Sequence, residues 1–281
     1  MRIIGTNQGQ RGDLIMGTVV ARAIKERFPD SSFTLGINKL YEDMKPLFYN
    51  HPYIDDIVIW ENYDNWPSVN DVRKAYEYNL ILNPMPQHPN SHCWYNLVKH
   101  QTEASCIMNG LTPPKDLSCH LNKYFGPIDK FKDYIAISPF TAWERKNISL
   151  QKWQSIINYI DSKGFQVLEL DAPRAPERGW FNRTFYPNSP IYSWPPWDYF
   201  YSVKAMLSCK FLICLDGGLS WVASAYKFPV LGLYGYHYDG LISPKVYEPI
   251  NPDAIYLEAG KAEDIPNELI FKKIDEMIKK I

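Results

Sequence analysis

Short β-branched runs alternate with helical patterns along this chain, and the series starts twice. Arg2-Ile-Ile-Gly5 reads as a buried strand. The loop from Thr6 to Gly12 leads into a helix from Leu14 to about Phe28, where Met16, Val20, Ile24 and Phe28 recur every fourth residue as one apolar stripe. Asp13 stands where an N-cap belongs, and Pro29 ends the segment. Further strands are predicted over 33–37, 56–60 and 79–83, with helices over 39–49 and 94–110. The run 112–133 has no clear period, holds Pro113, Pro114, Gly126 and Pro127, and reads as the crossing between two domains.

The alternation then restarts. Tyr134–Ser138 is the next strand, and a helix over 150–162 has Ser149 as N-cap and Gly164 just past its end. Strands follow at 165–170, 211–215 and 229–234, with helices from Asp198 to about Ser208, from Gly218 onward, and over 265–281. A Pro- and Trp-rich stretch covers 172–197, and its end, 192–200, reads as a packed loop, or as rings placed near a bound base. Strands alternating with helices imply βαβ units and mostly parallel sheets. Two such series imply an α/β fold of two doubly wound, Rossmann-like domains facing across a cleft. Ligands in such sheets bind past the carboxyl ends of the strands, so the chemistry is sought there.

Composition excludes several classes. A formal net charge of −1 gives no bulk attraction to nucleic acid or an anionic membrane. No run of 18 apolar residues occurs, so no transmembrane helix is expected, and the N-terminus turns polar at once, unlike a signal peptide. The five cysteines are an odd number without a CxxC pair, which argues against a disulfide framework or a structural zinc site and for reduced thiols in the cytoplasm.

Three loops after strands carry candidate chemistry. Gly9-Gln-Arg11-Gly12-Asp13 delivers a carboxylate to a helix N-terminus, although Asp13 as a plain cap explains the same pattern. The glycines lack the spacing of a dinucleotide fingerprint, and no phosphate-binding loop of the GxxxxGK[ST] type is present. Ser138-Pro-Phe-Thr141-Ala-Trp-Glu-Arg145-Lys146 sets a hydroxyl and two cations where a diphosphate would bind, or is a solvated charged loop. Leu215-Asp216-Gly217-Gly218-Leu219-Ser220 ends an apolar strand in paired glycines that open a helix, which makes an anion site, or a tight turn capped by Asp216.

Taken together, the stretches 12–30, 141–153 and 216–235 resemble, in order and spacing, the heptosyltransferase family, glycosyltransferase family 9 of the GT-B fold. His51-Pro-Tyr-Ile-Asp-Asp-Ile-Val-Ile resembles a further segment of that family. Where the family often has a histidine, two residues past the leucine of the third stretch, this chain has Trp221.

The resemblance implies an inverting transferase that uses a nucleotide diphosphate sugar of ADP type as donor substrate, with no cofactor or metal. The transferred sugar is heptose-like or another hexose. The acceptor is a glycan or glycolipid of surface or lipopolysaccharide synthesis, met at the membrane surface if it is a lipid. Asp13 would be the general base, with Gly12 and Arg11 in its loop. Ser138, Thr141, Lys146, Asp216, Gly217, Gly218 and Leu219 would hold the donor. The absence of any D-x-D sequence suggests no divalent-metal clamp.

The expected domains are then 1–125 for the acceptor, 126–262 for the donor, and 263–281 as a C-terminal helix, either packing back on the first half or an ordinary terminal amphipathic helix. Two other readings remain: a nucleotide-binding module without turnover, and a transferase acting on modified nucleic acid or protein. Near-neutral charge weighs against a nucleic acid acceptor.

Overall fold

The protein is described from a computed structural model, which defines residues 1–6, 10–60, 74–82, 99–122, 129–141, 146–170, 191–193, 199–236 and 243–281. Cys93, Arg145 and Asp198, and residues 94–98 of the expected helix 94–110, lie outside these residues. The chain forms two compact units: Met1–Lys123 with Lys245–Ile250, and Tyr124–Pro244 with Asn251–Ile281.

The first unit is built on a four-stranded parallel sheet in the order β3-β2-β1-β4, from β1 (Arg2–Thr6), β2 (Ser32–Asn38), β3 (Asp56–Trp60) and β4 (Tyr78–Ile81). Helix α1 (Arg11–Arg27) follows β1 and is buried on every side from Gly12 to Ile24, a wider burial than the single stripe expected. Phe28, the expected end of that stripe, is the C-cap and is exposed. Leu82 explains two glycines. A Cβ on Gly5 would lie 2.5 Å from its Cδ2, and one on Gly17 would lie 2.8 Å from its Cδ1, so helix and sheet close on this leucine only because both positions lack a side chain. Residues Lys39–Phe48, expected as an α-helix, form a 3₁₀ segment kinked at Tyr41, with Pro46 inside it denying an amide to the helical ladder. Helix α2 (Gln101–Met108) packs on α1. Its N-cap His100 donates from Nε2 to the Glu248 carbonyl at 2.9 Å, tying the Lys245–Ile250 segment into this unit.

The second unit has a six-stranded parallel sheet in the order β10-β9-β8-β5-β6-β7. Its strands are β5 (Tyr134–Ser138), β6 (Gln166–Glu169), β7 (Ile191–Ser193), β8 (Leu212–Leu215), β9 (Val230–Gly235) and β10 (Ala254–Ala259). Three strands run outward from β5 to one edge and three from β8 to the other, which is the doubly wound arrangement with its switch point between β5 and β8. The strands carry near-continuous apolar runs because parallel sheets of this kind are covered on both faces. Helices α3 (Leu150–Ser162), α4 (Tyr199–Met206) and α5 (Gly218–Ala225) connect them. Two strands were not expected: β7 sits within the Pro- and Trp-rich stretch, and β10 within residues assigned no element.

The last helix, α6 (Asn267–Ile278), corrects the expectation that it packs back on the first half. Its buried residues Ile270, Ile274 and Met277 share one core with Ile135, Trp153, Ile157 and Leu233 of the second unit. Phe271 stacks on Tyr159 of α3 at 4.1 Å, and Lys152, buried in α3, donates to the carbonyls of Glu263 (2.6 Å) and Ile265 (2.5 Å) ahead of the helix. The apolar face that the period produces is satisfied on α3, within the same unit.

Candidate active site

The switch point of the second sheet brings together two of the loops singled out in the sequence. Strands β5 and β8 are hydrogen-bonded neighbours, with Ser138 in register with Cys214, so the chain leaving each one emerges beside the other. Past β5, Ser138 is half-buried and Thr141 is buried. The Thr141 backbone N–H donates to Asn147 Oδ1 at 2.8 Å. Past β8 comes Asp216-Gly217. A Cβ on Gly217 would lie 3.9 Å from Thr141 Cγ2, so the two segments come close there.

Lys146 crosses the same gap. Its Nζ meets Asp216 Oδ2 at 2.5 Å, with the two side chains 19% and 10% exposed. An ammonium in this position is fixed rather than mobile, because a buried carboxylate that lost it would be left costly and uncompensated. The N-cap of α5 is Gly217, in an extended conformation, and Asp216 pairs with Lys146. Gly218 and Leu219 open the helix, and the first-turn amides of a helix point outward from its N-terminal end. Leu219 was expected among donor-binding residues; its side chain is buried. Trp221 is likewise buried.

Beneath this turn lies a line of hydroxyls that the sequence reading missed. Tyr234, fully buried in β9, donates from its hydroxyl to Ser220 Oγ at 3.0 Å. Ser220 Oγ donates to the Gly217 carbonyl at 2.7 Å, and the Ser220 N–H meets the same carbonyl at 3.2 Å.

The first loop belongs to the first unit. Asp13 is not the N-cap: α1 begins at Arg11, three residues earlier than expected, with Gln10 capping it. Asp13 occupies the third helical position, is buried, and accepts a hydrogen bond from the Gln10 N–H in a capping box. Gly12 is buried in the same turn. Arg11 pairs with Asp43 Oδ2 at 2.8 Å and lies over the Tyr41 ring at 5.4 Å, while the Tyr41 hydroxyl donates to Gln10 Oε1 at 3.2 Å. The turn holding Asp13 is thus braced by the 3₁₀ segment. Neither Asp43 nor Tyr41 has a periodic or motif signal in the sequence.

A cation and a helix N-terminus at a switch point are equipped to hold an anion, and a carboxylate held in the first turn of a buried helix is equipped to accept a proton. The comparisons with known proteins bear on the family and the fold. The profile of glycosyltransferase family 9 (heptosyltransferase) matches residues 94–267. A search by sequence among curated proteins returns no match.

Among solved structures, the glycosyl transferase family 9 from Veillonella parvula DSM 2008 superposes with a TM-score of 0.71 at 16% identity, covering 100% of this chain and 98% of that one. E. coli ADP-heptose lps heptosyltransferase II gives a TM-score of 0.72 at 14% identity, covering 100% and 99%. E. coli heptosyltransferase WaaC with ADP gives 0.67 at 13%, covering 99% and 100%. These structures share its fold, that of the GT-B glycosyltransferases with two Rossmann-like domains. The chain belongs to glycosyltransferase family 9, the heptosyltransferase family, and is a glycosyltransferase.

Proposed function

We propose that the protein moves a heptose-like or other hexose unit from an ADP-type nucleotide diphosphate donor to a hydroxyl of a glycan or glycolipid acceptor, with inversion and without a metal ion. The observation that carries this reading is the convergence of Lys146 and the α5 N-terminus at the β5/β8 switch point. The second unit then binds the donor and the first unit the acceptor. Solved relatives described as an ADP-heptose lipopolysaccharide enzyme and as a complex with ADP support the donor type and the acceptor class.

In the reaction, the acceptor oxygen attacks the anomeric carbon from the side opposite the diphosphate. The new C–O bond forms as the bond to the β-phosphate oxygen breaks, and the diphosphate leaves with the electron pair. Asp13 takes the acceptor proton. General-base help of this kind is typically worth about 10²–10⁴ in rate. Lys146, the Thr141 hydroxyl and the amides at Gly217–Leu219 offset the charge growing on the leaving group, with Ser138 at the edge of the same site. Lysine and helix amides supply positive charge without a divalent clamp. Arg11 and Gly12 shape the turn that carries Asp13.

Among the described residues no helix is long and apolar enough to cross a membrane, so a glycolipid acceptor would be met at the bilayer surface. Four buried free thiols, Cys106, Cys119, Cys209 and Cys214, suit the cytoplasm, where nucleotide sugars are made.

The test is turnover of a panel of nucleotide sugars in EDTA, with the product's anomeric configuration read by NMR. One ADP-linked sugar consumed, with inversion, is the expected result. Retention of configuration, or turnover abolished by EDTA and restored by a divalent ion, would overturn the mechanism.

A further inference from the structure

The Tyr234–Ser220 pair lies behind the glycine turn and has no surface of its own. Tyr234 is fully buried, and its ring meets Tyr256 edge to face at 5.2 Å. Burial, chiefly, and then the neighbouring Tyr256, Asp216 and Cys214 push its hydroxyl well above the ordinary tyrosine range, so it keeps its proton and donates. The donated bond goes to Ser220 Oγ at 3.0 Å, which directs the serine's own proton to the Gly217 carbonyl at 2.7 Å. A buried polar group without a partner is costly, so the chain of donors has one satisfactory direction.

The Gly217 carbonyl and the Gly218 N–H belong to one peptide plane. In a trans peptide they point in opposite directions. Drawing the carbonyl inward onto Ser220 therefore turns the Gly218 N–H outward, to where the diphosphate is proposed to bind. Glycine at both positions leaves this plane without side-chain restraint, so it is held by the two bonds onto the Gly217 carbonyl, from the Ser220 hydroxyl and the Ser220 N–H.

We infer that Tyr234 and Ser220 are positioning residues that fix the Gly217–Gly218 peptide plane, and so set the affinity of the α5 N-terminus for the diphosphate of the donor. The inference rests on the proposed donor site and deepens it. Neither residue touches the nucleotide: they act through one carbonyl.

The test compares ADP with AMP, and UDP with UMP, by calorimetric titration of the full chain in EDTA. The proteins are wild type, Tyr234→Phe, Ser220→Ala and the double variant, each checked for folding by circular dichroism and thermal melting. Tyr234→Phe removes a single oxygen, and Ser220→Ala removes the last donor of the line. Each is expected to weaken diphosphate binding about three- to tenfold, the usual weight of one hydrogen bond, while monophosphate binding stays within twofold. The double variant is expected to bind no more weakly than Ser220→Ala, because both act on the same carbonyl. Folded variants that bind the diphosphate like wild type overturn the inference and leave the donor site standing. Equal losses for diphosphate and monophosphate overturn it as well, since they mark general loosening of the fold. Wild type that binds no nucleoside diphosphate overturns the donor site itself, and the inference with it.

Discussion

At Lys146 and Asp216 a cation and a carboxylate half a domain apart in sequence meet at 2.5 Å, and each is placed by the end of a strand. The pair makes opposite demands on its two members. Lys146→Ala should weaken nucleoside diphosphate binding by tenfold or more, because a charge-assisted hydrogen bond contributes about 1.5–3 kcal/mol. It also strands Asp216. A double variant, Lys146→Ala with Asp216→Asn, should therefore regain thermal stability relative to Lys146→Ala while binding no better. Titration and melting curves on wild type, Lys146→Ala and the double variant check this, and a double variant no more stable than Lys146→Ala would show that removing Lys146 does not strand Asp216.

The residue types of the second site were legible in the sequence because they follow strand ends directly. The pairing of Lys146 with Asp216 was not legible: 70 residues separate them, and only the register of β5 on β8 brings them together. Asp13 was misread as a cap for a related reason. The first turn of α1 has a glutamine at its head, which is no strong N-cap, and capping falls to the reciprocal bond between Gln10 and Asp13.

Elements with a strong local signal fell where the pattern put them. Strand β5 spans the residues expected, and α3 has both its Ser149 cap and Gly164 in the left-handed region at φ +81°. Strand β10 is only half-buried, and Ile255 and Leu257 alternate with Tyr256 and Glu258 on its two faces. An edge strand of this kind shows alternation rather than an apolar run, which is why a search for apolar runs passes over it. The Lys39–Phe48 segment has helical spacing, but Pro46 prevents an α-helix. Helix α6 shows the limit most plainly: its stripe announces that a face is buried, and nothing in the stripe says against what. Because Ile274 is fully buried in the second unit's core, Ile274→Ala should destabilise the protein by about 2–5 kcal/mol. Hydrogen exchange should show the loss of protection in α3 and the second sheet. Loss confined to the first unit would contradict the packing described.

On the scale of the whole molecule, pH sets a limit on stability. His51 is buried, with Nε2 donating to the His120 carbonyl at 2.9 Å and Nδ1 accepting from the Tyr53 N–H at 3.2 Å. The ring fits only when neutral, and burial, above all, holds its pKa down to about 4. His100 is shifted in the same direction, again mainly by burial. A folded pKa below the unfolded one means that the unfolded chain binds more protons in between. Stability should therefore be complete above about pH 6.5 and fall as pH drops towards 4, by up to about 3 kcal/mol from His51 alone. Urea unfolding at pH 7 and pH 4.5 measures this, and His51→Gln should flatten the dependence. Stability unchanged between those values would contradict a neutral buried ring.

The family and fold were legible as a whole because three loops in fixed order outlast low identity elsewhere. The proposed chemistry rests on one carboxylate. The most direct test is the rate of sugar transfer by Asp13→Asn at saturating donor, alongside its donor affinity. Asparagine keeps an oxygen for the Gln10 N–H, so the turn should persist and binding should stay within twofold. Transfer slowed by a hundredfold or more is the predicted result. Transfer within a few-fold of wild type would show that the proton leaves by another route, and would remove Asp13 from the mechanism.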